Sequence, residues 1–244
     1  MSKRTFVISD IHGCHDEFNK LLKECGYNSK TDHLILLGDY VDRGFKSKEV
    51  VSQVMKLVYE DDAIALRGNH DQMFLDIFSD EPDDYLFLHN GGISTIESYC
   101  GLNWFEGYQG FDYMRYLQAK EFILKHYTNH IQFLRSLRCH YEDDNHIYVH
   151  AGLHPMYENW KEQPAEHFIW IRDIFLNNKT SVDKMVVFGH TPTVNLHNSA
   201  EVWFSEEKIG IDGGCVFGYK LNCLEIIEGS YNTHSVDSRL KRDD

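Results

Sequence analysis

No stretch of this sequence approaches 18 consecutive apolar residues, which excludes a membrane-spanning helix. The opening Met1-Ser2-Lys3-Arg4 and the four-residue apolar stretch behind it are too short for a signal peptide. None of the six cysteines, Cys14, Cys25, Cys100, Cys139, Cys215 and Cys223, forms a CxxC pair, so a structural zinc knuckle is not expected. Basic runs longer than a few residues are missing too, and the formal net charge is −14. Such a surface repels nucleic acid and anionic membranes, so neither is expected as a partner. It still admits phosphorylated substrates, because bound divalent cations reverse the field inside a cleft. Reduced thiols and the lack of a targeting segment make the cytoplasm the expected compartment. Internal repeats, low-complexity tracts and linkers are absent from the 244 residues, and nothing in the chain specifies an oligomeric state.

What is present is a rhythm of short apolar runs. Residues 5–9 (TFVIS), 33–37 (HLILL) and 63–66 (AIAL) read as buried strands. Between them, Phe18, Leu21, Leu22 and Cys25, and then Val50, Val51, Val54, Leu57 and Val58, fall at helical spacing. The first seventy residues therefore read β-α-β-α-β, with parallel strands and crossover helices. Residues 80–118 break this rhythm with Tyr85, Phe87, Trp104, Phe105, Tyr108, Phe111, Tyr113 and Tyr116 around Asn90-Gly91-Gly92. They are expected to form a small helical cap inserted into the sheet fold, with the aromatics as its core. Residues 121–137 read as one amphipathic helix. Further strands are expected at 139–141, 146–149, 185–188, 202–204, 208–211 and 221–227. The fold class is thus α/β, a β-sandwich flanked by helices. Residues 1–235 are read as one domain and 236–244 as a charged, frayed tail.

Polar clusters follow these runs in a fixed order: Ser9-Asp10-Ile11-His12-Gly13, Gly38 to Gly44, Arg67-Gly68-Asn69-His70-Asp71, His150-Ala151-Gly152, Phe188-Gly189-His190-Thr191 and Ile211-Asp212-Gly213-Gly214. Open α/β sheets bind ligands at the carboxyl ends of their strands. Asp10 and His12, two residues apart, can face one ion, and the carboxylate of Asp39 has two oxygens with which to bridge two. Asn69, His150 and His190 each stand beside a glycine near another strand end. Oxygen and imidazole donors without thiolate suit manganese, iron or zinc in a catalytic site. His70, next to Asn69, is placed to protonate a leaving alkoxide, with Asp42 holding it. Arg43 offers a planar fork for phosphate oxygens, and Arg172 is expected across the cleft. Taken singly, an Asp-x-His is a solvated loop, Gly189-His190 can be a satisfied core histidine, and Arg67 reads as a local ion pair. The ordered recurrence at successive strand ends is what argues for a shared centre.

At these residues the chain resembles the phosphoprotein phosphatase family of calcineurin-like metallophosphoesterases, especially compact bacterial and phage members. The family pattern GDxHG, GDxVDRG, GNHE, HAG and GH is matched by Ser9 to Gly13, Gly38 to Gly44, Gly68 to Asp71, His150 to Gly152 and Gly189-His190. The resemblance implies a di-metal centre, with Mn2+ first and Fe or Zn as alternatives. Asp10 and His12 would hold one ion, Asp39 would bridge, and Asn69, His150 and His190 would hold the other. His70 with Asp42 would be the general acid, and Arg43, Asn69 and Arg172 would meet the phosphate. The implied reaction is in-line attack by a metal-bridging hydroxide on a phosphorylated protein or nucleotide. Phosphoserine and phosphothreonine in proteins come first, and symmetrical dinucleoside polyphosphates second. A non-catalytic phosphate-binding scaffold would be favoured by loss of a ligand, of His70 or of Arg43, and all are present. Two departures stand out: Ser9 for glycine, and Asp71 for glutamate, which puts in question any contact that needs the longer side chain.

Overall fold

Alternation along each strand splits the apolar side chains between two faces, and this produces a layered molecule. The structure, a computed structural model, describes residues 3–106 and 111–240. Strands β1 (Thr5–Ile8), β2 (His33–Leu36) and β3 (Ile64–Ala65) run parallel, as expected. Two later strands, β9 (Lys220–Ile227) and β10 (Ser230–Asp237), complete that sheet in the order β10-β9-β1-β2-β3. The second sheet joins β4 (His140–Glu142), β5 (His146–Val149), β6 (Met185–Phe188), β8 (Lys208–Gly210) and β7 (Trp203–Phe204), in that spatial order. Val7, Ile35 and Leu224 of the first sheet meet Tyr148, Val187 and Ile209 of the second in the core between them. Their neighbours Phe6, Ile8, Leu34 and Leu36 point the other way, onto helices α1 (His15–Glu24) and α2 (Ser47–Asp61). Ile147, Val149, Val186 and Phe188 likewise face Phe168 of α8 (Ala165–Trp170) and Phe175 of α9 (Asp173–Leu176). Strands β1, β2, β5 and β6 are buried on both faces, which is why they read as continuous apolar runs.

The region expected to form a cap holds α4 (Asp84–Phe87), a kinked turn over Leu88–Gly92 in which Asn90 and Gly91 leave helical geometry, and α5 (Ile93–Cys100). Phe87, Ile96, Tyr99 and Tyr116 are buried in the same cluster as Phe18 and Val51, so these helices share the main core. Tyr85, Phe111 and Tyr113 remain exposed. Tyr108 lies outside the described residues.

Two sequence readings are corrected. Residues 121–137 do not form one helix, because α6 (Tyr113–His126) stops at Tyr127 and α7 (Thr128–Ser136) starts anew. Tyr127, Thr128 and Asn129 are weak helix formers, and Tyr127 leaves helical geometry to pack edge-on against Tyr99, 4.9 Å away. The supposed tail is pinned as far as Leu240. Glu228 and Gly229, both at positive φ, turn β9 back into β10, a two-residue hairpin that its polar sequence hid. Val236 is buried, Ser238 N–H donates to the Tyr219 carbonyl, and Arg239 N–H donates to Glu17. Residues 241–244 lie outside the described residues. Among the described residues, no helix is long and apolar enough to cross a membrane. Val236→Ala is expected to lower stability by about 2 kcal/mol in urea denaturation, the scale of a core truncation. A loose tail would show no loss.

Candidate metal centre

Every one of the six polar clusters emerges from the carboxyl end of a strand, and backbone bonds stitch neighbouring clusters together. His12 N–H donates to the Asp39 carbonyl at 2.9 Å, and Gly189 N–H to the His150 carbonyl at 2.7 Å. The helix α3 (Asn69–Asp76) opens inside the site, so Asn69 and His70 enter on its first turn. Among the described residues nine non-glycine positions have positive φ, and six of them are here: Asp10, His12, Asp39, Asp42, Arg43 and His190. Left-handed backbone is costly for such residues and persists only where the surroundings impose it. Gly189 shows how tight the approach is: a Cβ there would stand 2.0 Å from Ser9 Oγ and 2.2 Å from Asp10 Oδ2.

The donor atoms form two overlapping groups, His12 with Asp39 and His70, and Asp39 with His150 and His190, each within 4.8 Å. Asp39 belongs to both. Its Oδ2 lies 3.4 Å from His12 Nε2 and 3.4 Å from His150 Nε2, while Oδ1 accepts from His70 N–H at 2.9 Å. Backbone carbonyls accept from the far side of two rings: Val41 O from His12 Nδ1 at 2.7 Å, and Leu37 O from His150 Nδ1 at 3.1 Å. A carbonyl can only accept, so Nε2 of each ring is aimed into the site, the usual outer support of a metal-binding histidine. Asn69 Oδ1 is 3.0 Å from His150 Nε2. Asp10 is buried alongside but stands outside both groups, with Oδ2 accepting from Ser9 Oγ and from His190 N–H. Ser9 therefore adds a hydroxyl partner to Asp10.

Five buried carboxyl groups crowd this space: Asp10, Asp39, Asp42, Asp71 and Asp212. Burial pushes Asp10 and Asp212 up, and the charge of neighbouring carboxylates adds to the rise. Burial also opposes the charged form of His150, yet Asp39 and Asp10 outweigh it and raise that imidazole to about 9. In return, His150 and His70 hold Asp39 well below the ordinary range despite its burial. Burial and nearby cationic groups lower His12, and they push His190 down to about 2. The chain thus gathers carboxyl groups that burial drives towards their neutral form, with lone pairs of two neutral imidazoles facing them. That donor set fits divalent cations.

Around this core lie the other residues singled out in the sequence. His70 Nδ1 and Asp42 Oδ2 are 2.8 Å apart. Arg43 Nη1 lies 2.8 Å from His12 Nε2, and Arg172 Nε donates to His190 Nε2 at 2.8 Å. Both arginines line one cavity of about 320 Å³ with Asp212, Phe217 and Tyr219. Asp71, despite its short side chain, accepts from the N–H groups of Asp39, Tyr40 and Gly68, each at 2.9 Å. Among the described residues Arg67 makes no ion pair: it donates to Gln72 Oε1 and to the Leu137 carbonyl. Sequence reasoning assigned no part to Asp212, although its position after a strand was a usable signal. It also missed Thr95, which bonds Asp42 from a distant helix and carries no local signal.

Proton binding at His150 links this site to stability. Its value of about 9 lies above the ordinary 6.5, so its contribution in metal-free protein is complete below pH 6.5 and is lost as pH rises through 9. Asp71, raised to about 7 by burial and by Asp39, acts in the same direction, its contribution being lost as pH rises through 7. Chelator-treated protein should show a melting temperature that falls between pH 6.5 and about 9, and added divalent cation should shrink the fall. A flat melting temperature in chelator would contradict this linkage.

Comparison with known proteins agrees with the geometry. The family described as calcineurin-like phosphoesterase matches residues 3–221. A serine/threonine-protein phosphatase 1 of Salmonella typhimurium is 29% identical, over 92% of this chain and 92% of its own length. The asymmetrical bis(5'-nucleosyl)-tetraphosphatase PrpE of Oceanobacillus iheyensis is 26% identical, over 92% and 89%. A crystal structure provisionally named a diadenosine tetraphosphatase superposes with a TM-score of 0.65 at 20% identity, covering 98% of this chain and 95% of that one. The two sandwiched sheets, the strand-end donors and the span of the match lead to one conclusion: this chain belongs to the calcineurin-like phosphoesterase family and is a metal-dependent phosphoesterase.

Proposed function

We propose that this chain hydrolyses phosphate monoesters of serine and threonine side chains in proteins. The observation that carries the reading is the His70–Asp42 pair beside a cavity walled by Arg43 and Arg172. Phosphoserine and phosphothreonine release an alkoxide, a poor leaving group that needs a proton as the phosphorus–oxygen bond breaks. A nucleotide leaving from a polyphosphate needs that proton far less. With Nδ1 held at Asp42, His70 can supply it from Nε2.

Asp10, His12 and Asp39 would hold one divalent cation, and Asp39, Asn69, His150 and His190 the other. When bound, the two ions polarise the phosphoryl oxygens and make a water nucleophilic at neutral pH. Manganese is the ion we favour, on a donor set of oxygen and nitrogen without thiolate. Arg43 and Arg172 turn their donors from the imidazoles onto the phosphate oxygens, and Asn69 adds an amide N–H. Water attacks opposite the leaving oxygen, which takes its proton from His70. The chain needs no nucleophile of its own, and its six free thiols fit the cytoplasm.

Dinucleoside polyphosphate hydrolysis is the second reading. It is favoured by Phe217, whose ring lies 5.0 Å from the Arg43 guanidinium, and by Tyr219 in the same cavity, since both can stack on a base. A phosphoserine peptide should turn over faster than diadenosine tetraphosphate, and the reverse order would favour this alternative. His70→Asn should cut kcat on the peptide by about 10²- to 10⁴-fold. Its metal content, measured by elemental analysis, should stay near two ions per chain, because the proposed ligands Asp10, His12, Asp39, Asn69, His150 and His190 are all retained. Full activity in this variant would remove His70 from the role of acid.

A further inference from the structure

We propose that Thr95 of α5 is a positioning residue that fixes the His70–Asp42 pair, so that the cap region sets the aim of the proton donor. The inference rests on the reading of His70 as general acid given above. Thr95 is fully buried, and its Oγ donates to Asp42 Oδ1 at 2.7 Å while accepting from Asp42 N–H at 2.7 Å. Ser47 Oγ stands 3.3 Å away on the remaining side. Thr95 Oγ accepts from the Asp42 N–H, which leaves its single proton to donate to Asp42 Oδ1. One oxygen of Asp42 is therefore held by Thr95 and the other by His70 Nδ1, at 2.8 Å. Neither can rotate without breaking a bond in a buried site, where lost bonds are costly.

The cap region also holds the backbone beneath. Asp42 and Arg43 stand at φ 71 and 69, two successive non-glycine residues in the left-handed region. Such a pair relaxes unless restrained. The restraints are Thr95 Oγ on Asp42 N–H and the Gly91 carbonyl on Arg43 N–H, at 3.0 Å. Gly91 sits at the kink before α5 at φ 95, and a Cβ there would lie 2.7 Å from Arg43 Cγ. The insertion thus reaches the acid pair and the phosphate-facing arginine through adjacent residues.

Satisfying a buried carboxylate and positioning an acid differ in their dependence on the leaving group. A misaimed acid slows departure of an alkoxide and spares departure of p-nitrophenolate, which needs little protonation. A loss of folded or metal-loaded protein slows both alike. Thr95→Val and Thr95→Ser are compared with the parent and with His70→Asn on a phosphoserine peptide and on p-nitrophenyl phosphate. Thr95→Val should lower kcat on the peptide by about tenfold or more, and on p-nitrophenyl phosphate by less than about threefold. Thr95→Ser, which keeps the hydroxyl, should restore the parental ratio. That ratio does not depend on how much protein is folded, so a poorly folding variant still answers. Equal losses on both substrates, with His70→Asn selective, would overturn the positioning role alone. Equal losses in His70→Asn would overturn the acid itself, and this inference with it.

Discussion

Asp39 is the constraint on which the rest of the site turns. Its carboxylate is buried, coupled to imidazoles on two sides, and shared by both donor groups. An unpaired charge in that position would cost several kcal/mol. The fold answers with His12 and His150 on either flank and with the His70 amide on the other oxygen. Each of those partners belongs to a different strand-end loop. Satisfying one carboxylate therefore requires β1, β2, β5 and the start of α3 to converge.

That convergence explains where the strain lies. Most of the left-handed non-glycine residues sit at the site, because a sharp turn directly after a strand is what lets the next side chain look back over the sheet edge. The two sheets form a rigid base for these turns, with Val7, Ile35, Val187 and Ile209 locked between them. Asp71 adds a second tier. Three backbone N–H groups, from Asp39, Tyr40 and Gly68, end on its carboxylate and tie the second cluster to the third. The cap region supplies a third tier through Thr95 and Gly91. The geometry of this centre thus depends on groups outside its donor set.

Much of this was legible in the linear chain because the relevant signals are local. Apolar runs of four or five residues marked β1, β2, β5 and β6, and the polar clusters directly after them marked the loops. The α1 and α2 spacing was equally plain. Where a signal was not local, reading failed. β10 is polar on most of its length and is a strand because β9 pairs with it, residue for residue from Ser230 to Asp237. The break at Tyr127 follows from an aromatic contact with Tyr99, made across the fold. Arg67 had a carboxylate-rich neighbourhood in sequence, yet its guanidinium meets an amide and a carbonyl in space.

Sequence alone determined the order of strands and helices in the first half, the residue types at the centre and the class of chemistry they serve. Those follow from short-range periodicity and from donor chemistry, which need no knowledge of distance. Tertiary structure alone decided that Asp39 stands between two imidazoles, that Asp10 turns towards Ser9 and His190, and that Thr95 reaches Asp42 from 53 residues away. Burial and long-range pairing set these relations, and both arise only when the chain closes on itself.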